Sequence, residues 1–280
     1  PHFPFIVPEP YFSKYYPDNV DMPDIPEGHL DELPESANRL RQMFGLDGNW
    51  TNDEIARARA AYYGLCTYLD DKIGHLMEVL EEQGLAENTV IVHTSDHGDM
   101  LGEHGLWRKM CFYEQSANVP LQISWPGKFE GGQRIGEAVS NVDAVATILD
   151  LAGIELDQYD LDGQSLAPAL EGDTSTLNDV AISEHFAHGT DRALGMVRSG
   201  DWKLCYGHGD PVEIELYNLK SDPKEFINLA GNPEHAEVQA RLLQILLDQW
   251  GDPDEMTAKI IRDQEDREIV RNVTGVGTIF

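Results

Sequence analysis

Apolar residues recur at helical spacing through one long segment in the first third of the chain. Between Ile55 and Leu80 they lie three, four or seven residues apart, which is the spacing of one face of an α-helix. Thr51-Asn-Asp-Glu54, directly before them, is a capping-box pattern, and Gly84 is suited to end a helix. The pattern therefore predicts a long amphipathic helix that starts after the capping box and ends near Gly84.

Short apolar runs flank the charged segment that follows this helix. Residues 88–94 and 119–125 predict buried strands. Helices are predicted around 33–44 and at 141–151, where Asn141 is the expected N-cap. Because strands alternate with helices, we expect an α/β fold with a mostly parallel sheet sandwiched by helices.

The pattern changes at about residue 177, where short strands begin to follow one another. They are predicted at 180–185, 193–198, 202–206 and 214–218. An amphipathic helix is predicted at 234–250, so this part is expected to be a small α+β subdomain with an antiparallel sheet. We therefore divide the chain into an α/β part at 1–176, this subdomain at 177–252, and a charged tail at 253–280. The tail is expected either to fray or to dock on a neighbouring molecule.

The chain is strongly acidic. Its 280 residues include 50 Asp and Glu against 20 Lys and Arg, which gives a formal net charge of −30. Nucleic acid is not expected as a partner, because phosphate binding needs a basic surface. The acidity favours adaptation to salt, the alternative being a merely acidic, soluble protein. An anionic substrate would depend on local positive charge within this field.

The chain has three cysteines. This number fits reduced thiols better than a disulfide framework, and it favours a cytoplasmic over a periplasmic location. No apolar run approaches the roughly eighteen residues of a transmembrane helix. A membrane partner is therefore not expected.

A segment rich in charged and metal-binding side chains follows the predicted strand at 88–94. Asp96 and His97 come directly after the strand end, where ligands collect in open α/β sheets. A carboxylate beside an imidazole suits a divalent cation. Lys109 follows a loop broken by glycines and could return to the same place as a fixed positive charge.

This segment resembles a known motif. Asp96-His-Gly-Asp-Met-Leu-Gly102 and the Leu106-Trp-Arg-Lys-Met110 after it are similar to the second metal-binding motif of type I sulfatases, in the alkaline phosphatase superfamily. The form found here is most like that of the choline-sulfatase and phosphonate monoester hydrolase branch. Weaker matches occur at 1–8, 114–121, 199–204 and 215–225. The resemblance runs from residue 1 to about residue 250 and implies the family's catalytic α/β fold with its C-terminal α+β subdomain.

The family's nucleophile is absent from this sequence. The resemblance implies a formylglycine made from the Cys or Ser of a Cys/Ser-x-Pro-x-Arg motif. Cys66, Cys111 and Cys205 lack this motif, and the proline after Ser165 comes one residue too late. The family's early pair of metal-binding aspartates also has no counterpart. We therefore expect the chain to be the C-terminal part of a longer protein, with the formylglycine and further metal ligands in a missing N-terminal portion.

The resemblance implies a role for three residues of the motif. Asp96 and His97 would bind a divalent metal; the alternatives are a loop-capping aspartate and a hydrogen-bonded loop imidazole. Calcium, manganese and magnesium all accept oxygen ligands, and the imidazole favours manganese. Lys109 would hold the sulfate oxygens and the nucleophile's hydroxyl, the alternative being a solvated lysine. The side chain of Arg108 is expected to point away from the sulfate that Lys109 would hold.

Two histidines are further candidates for the catalytic chemistry. His2 would protonate the leaving group, because an imidazole with a pKa near 6.5 suits general acid work near neutrality; packing among prolines is the alternative. His104 lies on the loop that carries this motif, residues 96–110 (the motif loop), and whether it lines the substrate pocket is left open. Asp99 and Glu103 are expected to support the loop rather than bind the metal.

These observations predict the C-terminal portion of a metal-dependent sulfatase that hydrolyses sulfate monoesters. A phosphonate or phosphate ester hydrolase on the same scaffold is the nearest alternative, and a non-catalytic binding or assembly module is an alternative of another class. The expected partners are a small sulfate ester and the missing N-terminal portion, with a homo-oligomer left open. Glu184, His185 and His188 end a predicted strand, either near the substrate or at the surface.

Overall fold

The computed structural model describes residues 1–45, 48, 50–187, 190 and 192–274. The α-helices in these parts are α1 (Glu35–Met43), α2 (Asn52–Glu82), α3 (Glu114–Ala117), α4 (Asn141–Leu151), α5 (Ala167–Leu170), α6 (Ala236–Trp250) and α7 (Pro253–Thr274). The strands are β1 (Ile91–Thr94), β2 (Leu121–Ser124), β3 (Val180–His185), β4 (Leu194–Ser199), β5 (Trp202–Gly207) and β6 (Glu213–Asn218).

The long helix α2 begins as its sequence predicts. The side chain of Thr51 accepts a hydrogen bond from the amide of Glu54, and the Glu54 carboxylate accepts one from the amide of Thr51 at 2.8 Å. The helix runs for 31 residues and is followed by Gly84 with a φ of 66°. Arg59 and Ala60 in its first half are buried, whereas Leu76 in its second half is 57% exposed. The buried first half is therefore the part that can support a neighbouring loop.

The first half of the chain is α/β, but its two described strands do not pair as expected. β1 and β2 are antiparallel, with Ile91 opposite Ser124 and Thr94 opposite Leu121. The motif loop and α3 turn the chain back between them, so β2 returns alongside β1 in the opposite direction. The expected parallel pairing is thus replaced, in this part of the chain, by a reversal that carries the motif.

Helix α4 starts at the predicted residue but with a different cap. Ser140 occupies the N-cap position with extended φ and ψ, and its amide donates to the Asp143 carboxylate at 2.7 Å. Asn141, expected to be the N-cap, instead uses its amide side chain on the end of β1. It donates to the Ser95 carbonyl at 2.8 Å and accepts from the Thr94 hydroxyl at 2.7 Å. Asn141 therefore ties α4 to the start of the motif loop.

The second half contains the predicted antiparallel sheet, in the order β3-β4-β5-β6. α6 packs its apolar face on this sheet, and the core between them is fully buried at Val197, Leu204, Leu216, Leu242 and Leu246. Burial of such side chains stabilises the fold by about 1.5–3 kcal/mol each. The sheet and α6 thus form one hydrophobic core.

The charged tail continues as α7, which packs on the same subdomain. Ile260 is buried in the core beneath the sheet, and the side-chain amide of Gln264 donates to the Thr190 carbonyl at 2.5 Å. The first half of the tail is therefore docked on its own chain rather than frayed, because the side chain of Ile260 is buried in the hydrophobic core. Residues 275–280 lie outside the described residues, and the domain limits at 176 and 252 stay predictions. None of the described helices is long and apolar enough to span a bilayer.

Candidate active site

Asp96 and His97 lie directly after β1, with their side chains next to each other. Asp96 Oδ1 accepts from the amide of His97 at 3.0 Å, and Asp96 Oδ2 lies 3.5 Å from His97 Nε2. The Asp96 side chain is 84% exposed. Partial burial opposes its ionisation, but His97, the backbone amides and the ammonium of Lys109 hold the pKa of Asp96 below its ordinary value. Asp96 is therefore an accessible carboxylate.

The hydrogen bond of His97 determines which ring nitrogen is available. His97 Nδ1 lies 2.7 Å from the Gly98 carbonyl, and since a carbonyl only accepts, Nδ1 carries the proton. The lone pair of the neutral ring is then on Nε2, the atom that faces Asp96. Metal-binding histidines are commonly oriented by such a bond from the other ring nitrogen. The pair therefore fits two positions in the coordination sphere of a divalent cation.

Two ligands do not complete a metal site. Cations such as calcium and magnesium take six or more oxygen ligands or waters. Over the part of the chain that the structure describes, no group of three or more His, Cys, Asp or Glu side chains could hold a metal ion. Asp96 and His97 can thus provide only part of such a site.

Lys109 and His2 meet beside this pair, although the sequence separates them by 107 residues. Lys109 Nζ lies 2.7 Å from His2 Nε2, and the rings of His2 and His97 have centroids 6.1 Å apart. His2 Nδ1 lies 2.6 Å from the Phe3 carbonyl and so carries a proton. His2 Nε2 therefore accepts a hydrogen bond from the Lys109 ammonium. The fold thus brings together four of the five predicted site residues.

The side chain of Arg108 packs against two aromatic rings. Its guanidinium carbon lies 4.0 Å from the ring centroid of Phe3 and 4.4 Å from that of Phe44. Phe3 in turn stacks on His2 with centroids 4.5 Å apart. A cation–π contact contributes about 0.5–2 kcal/mol. Arg108 therefore helps to hold the segment that carries His2; no sequence pattern indicated this, because the two aromatic residues come from distant parts of the chain.

Asp99 and Glu103 support the loop, as expected from the sequence. Asp99 Oδ1 accepts from the amides of Leu101 and Arg108, both at 3.1 Å. Glu103 forms an ion pair of 3.1 Å with Arg59, the buried arginine of α2, which also donates to the Leu101 carbonyl at 2.8 Å. Burial raises the pKa of Asp99, although its two backbone bonds oppose the shift. Asp99 thus bonds the loop itself, whereas Glu103 ties the loop to α2.

His104 is separated from the other candidate residues by its burial. Its side chain is 1% exposed, stacks on Tyr113 with centroids 3.9 Å apart, and lies 2.8 Å from His29 through its Nδ1. Burial and the neighbouring His29 lower the pKa of His104 to about 3. It is therefore a neutral packing residue, and its described contacts are with the core rather than with Lys109 or His2.

The strand-end residues of β3 have different surroundings. Glu184 accepts a hydrogen bond from the indole of Trp250 at 2.5 Å. His185 lines a small cavity together with Arg39, Met110 and Glu213, which brings it near the segment after Lys109. His188 lies outside the described residues.

Two family models match the chain. The model of the sulfatase family covers residues 1–154. The chain belongs to the sulfatase family. A second model, for the C-terminal region of N-sulphoglucosamine sulphohydrolase, covers residues 102–252.

Individual relatives agree with this family. The chain is 36% identical over 245 residues to a choline-sulfatase of Rhizobium meliloti, covering 86% of the chain and 47% of that protein. It is 34% identical to an arylsulfatase of Clostridium perfringens, covering 88% of the chain and 51% of that protein. A solved phosphonate monoester hydrolase from Silicibacter pomeroyi superposes with a TM-score of 0.77 at 30% identity, over 89% of this chain and 54% of that one. The chain thus spans about half the length of these relatives.

Proposed function

We propose that the full-length protein hydrolyses sulfate monoesters, with Asp96, His97, Lys109 and His2 in its active site. The observation that carries this proposal is the 2.7 Å contact between Lys109 Nζ and His2 Nε2, next to a carboxylate and imidazole pair. The relatives named choline-sulfatase and arylsulfatase support the same reaction class.

Asp96 and His97 would hold a divalent metal, which when bound would stabilise negative charge on the ester oxygens. Calcium, manganese and magnesium all suit the carboxylate, and the imidazole favours manganese. The sequence has no Cys/Ser-x-Pro-x-Arg motif. A formylglycine nucleophile is therefore not assigned to any residue of this chain.

Lys109 would bind the transferring group. Its ammonium is a fixed positive charge in a chain whose formal net charge is −30, so it would attract a sulfate that the overall field repels. Preorganised charge of this kind stabilises charge that develops in the transition state. Lys109 is therefore expected to matter for every ester.

His2 would supply the proton for the leaving oxygen. Its Nδ1 proton is held by the Phe3 carbonyl, so Nε2 is the atom that would exchange a proton with substrate. In the structure that atom accepts from Lys109. When a sulfate oxygen takes the Lys109 ammonium as its partner, His2 Nε2 is free to take up a proton from solvent, and the resulting imidazolium would donate that proton to the leaving oxygen.

The test compares Lys109→Ala and His2→Ala in the full-length protein on nitrophenyl sulfate and on an alkyl sulfate. Lys109→Ala should lower kcat by about 10²–10³-fold on both esters. His2→Ala should slow the alkyl sulfate far more, because a nitrophenolate leaves with little protonation. Burst kinetics must first establish that S–O cleavage limits the rate. Lys128→Ala and His75→Ala, which change side chains exposed elsewhere on the chain, are the matched controls.

Equal slowing of both esters by His2→Ala would exclude His2 as the general acid. Unchanged turnover in Lys109→Ala would overturn the proposed site.

A phosphonate or phosphate ester hydrolase is the second candidate, favoured by the superposition on the phosphonate monoester hydrolase. The four site residues suit either anion, because a sulfate and a phosphonate present similar oxygens to a metal and a lysine. The ratio of kcat/KM for nitrophenyl sulfate, nitrophenyl phosphate and a phenylphosphonate monoester separates the two. A higher value for the phosphonate would favour the second candidate.

A further inference from the structure

A buried ion cluster joins the C-terminal sheet to the first half of the chain. Lys203, on β5, is completely buried, and its Nζ lies 2.6 Å from Glu225 Oε1 and 3.0 Å from Glu114 Oε1. Glu225 is 1% exposed. Glu114 is the first residue of α3 and comes from a part of the chain 89 residues before Lys203. The segments 114–121, 199–204 and 215–225, which resemble the sulfatase family only weakly, thus meet at one charged contact.

Stability alone does not explain this cluster. Two buried charges lose their hydration, and replacing such a pair by apolar side chains of similar volume is often neutral or stabilising. Burial would lower the pKa of Lys203, but the carboxylates of Glu225 and Glu114 outweigh it and raise that pKa above its ordinary value. Lys203 is therefore charged, and its contacts have a fixed direction that apolar packing lacks.

Glu225 passes this fixed geometry to α3. Its Oε2 accepts a hydrogen bond from the backbone amide of Glu114 at 2.7 Å, while its Oε1 is paired with Lys203. The backbone of Glu225 has a φ of 57°, a conformation that non-glycine residues keep only where their surroundings fix them. The start of α3 is therefore held at both its side chain and its amide.

Helix α3 in turn supports the backbone beside the Asp96–His97 pair. The amide of Gly98 donates to the Ser116 carbonyl at 2.8 Å. A Cβ atom at Gly98 would lie 2.0 Å from the Gln115 carbonyl oxygen, so the two backbones are in direct contact. Lys109 lies five residues before Glu114 on the same segment. A displacement of α3 would therefore move His97 and Lys109 relative to each other.

We propose that Lys203 and Glu225 are positioning residues, which set the placement of Lys109 relative to Asp96 and His97 by fixing α3. The effect on turnover rests on the proposed function, whereas the effect on the backbone at Gly98 does not. A misplacement of about 1 Å can cost on the order of 10²-fold in rate.

The test uses the double variant Lys203→Met/Glu225→Met in the full-length protein. It removes the two fully buried charges together and leaves only the Glu114 carboxylate, which is partly exposed to water, so the melting temperature should stay close to that of the parent. It also removes the acceptor for the Glu114 amide. We expect hydrogen exchange at Gly98 and Glu114 to become faster, on the order of tenfold or more, and kcat on nitrophenyl sulfate to fall by about 10²-fold. Leu246→Ala, a cavity in the same C-terminal core, is the control and should leave both readouts unchanged.

The outcomes distinguish a failure of the positioning role from a failure of the proposed function. Faster exchange at Gly98 with no sulfatase activity in the parent protein would support the positioning role and overturn the proposed function. Unchanged exchange at Gly98 would overturn the positioning role, whatever the turnover. If the double variant does not fold, Glu114→Ala removes a partly exposed contact of Lys203 and gives the same readouts. Parent-like exchange and kcat in that variant would also overturn the proposal.

Discussion

Substitution of Asp99 tests whether this carboxylate closes the motif loop or binds a metal. Its Oδ1 accepts from the amides of Leu101 and Arg108 at 3.1 Å each, so it joins the two ends of the loop. Asp99→Ala removes the acceptor of both bonds. A hydrogen bond of this kind contributes about 1 kcal/mol net, so the free energy of unfolding should fall by about 2 kcal/mol.

Asp99→Asn separates the charge from the hydrogen bonds. The amide oxygen can accept the same two bonds, so the loop should stay closed. Burial raises the folded-state pKa of Asp99, which means that the folded protein holds this proton more tightly than the unfolded chain. The contribution of Asp99 to stability is therefore full below the unfolded-state pKa and is lost as the pH rises through the folded-state pKa. Asn does not titrate and has no such loss. The free energy of unfolding of Asp99→Asn should therefore rise relative to that of the parent as the pH increases from acid to neutral.

The assay is urea denaturation of the parent, Asp99→Asn and Asp99→Ala at several pH values, with calorimetric titration of manganese in parallel. Asp157→Asn, at an exposed carboxylate, is the control for the loss of one surface charge. Parent-like manganese affinity in Asp99→Asn is the expected result. The loop-closing role would be refuted if Asp99→Asn weakened manganese binding, or if it destabilised the protein as much as Asp99→Ala.

Two further predictions concern the metal and the charge of the chain. Asp96→Ala in the full-length protein should weaken manganese binding in calorimetric titration and abolish turnover, because an accessible charged ligand is lost; unchanged affinity would remove Asp96 from the metal site. The melting temperature should rise between low and molar potassium chloride, because salt screens the self-repulsion of a chain with 50 acidic residues. A flat or falling curve would argue against salt adaptation.

The elements that the sequence predicts well are those whose signals are local. The capping box at Thr51 and Glu54 and the apolar spacing behind it define α2 within one stretch of chain. The four strands of the C-terminal sheet were also predicted to within one residue at each end, because each pairs with its neighbour in sequence. The antiparallel pairing of β1 with β2 was missed, because strand direction depends on how the intervening 26 residues, 95–120, fold back.

The candidate site was only partly predictable for the same reason. Asp96 and His97 could be identified from their place after a strand, and their motif resembles that of a known family. The burial of His104 could not, because it depends on Tyr113, His29 and Phe226 closing around the ring. The role of Asn141 at the end of β1 was likewise hidden, since an Asn at the start of a predicted helix has the ordinary appearance of a cap.

The order of the C-terminal sheet has a consequence for how the chain folds. In this sheet β4, β5 and β6 each pair with the strand before them in sequence, so the loops to be closed are short and this unit should form quickly. Lys203 and Glu225 both belong to this region and are expected to come together early, whereas Glu114 reaches them from 89 residues away. Glu114 would therefore reach Lys203 last, when the two halves of the chain dock. Lys203 would by then be paired with Glu225, so a slow docking step would leave no unpaired charge in the core.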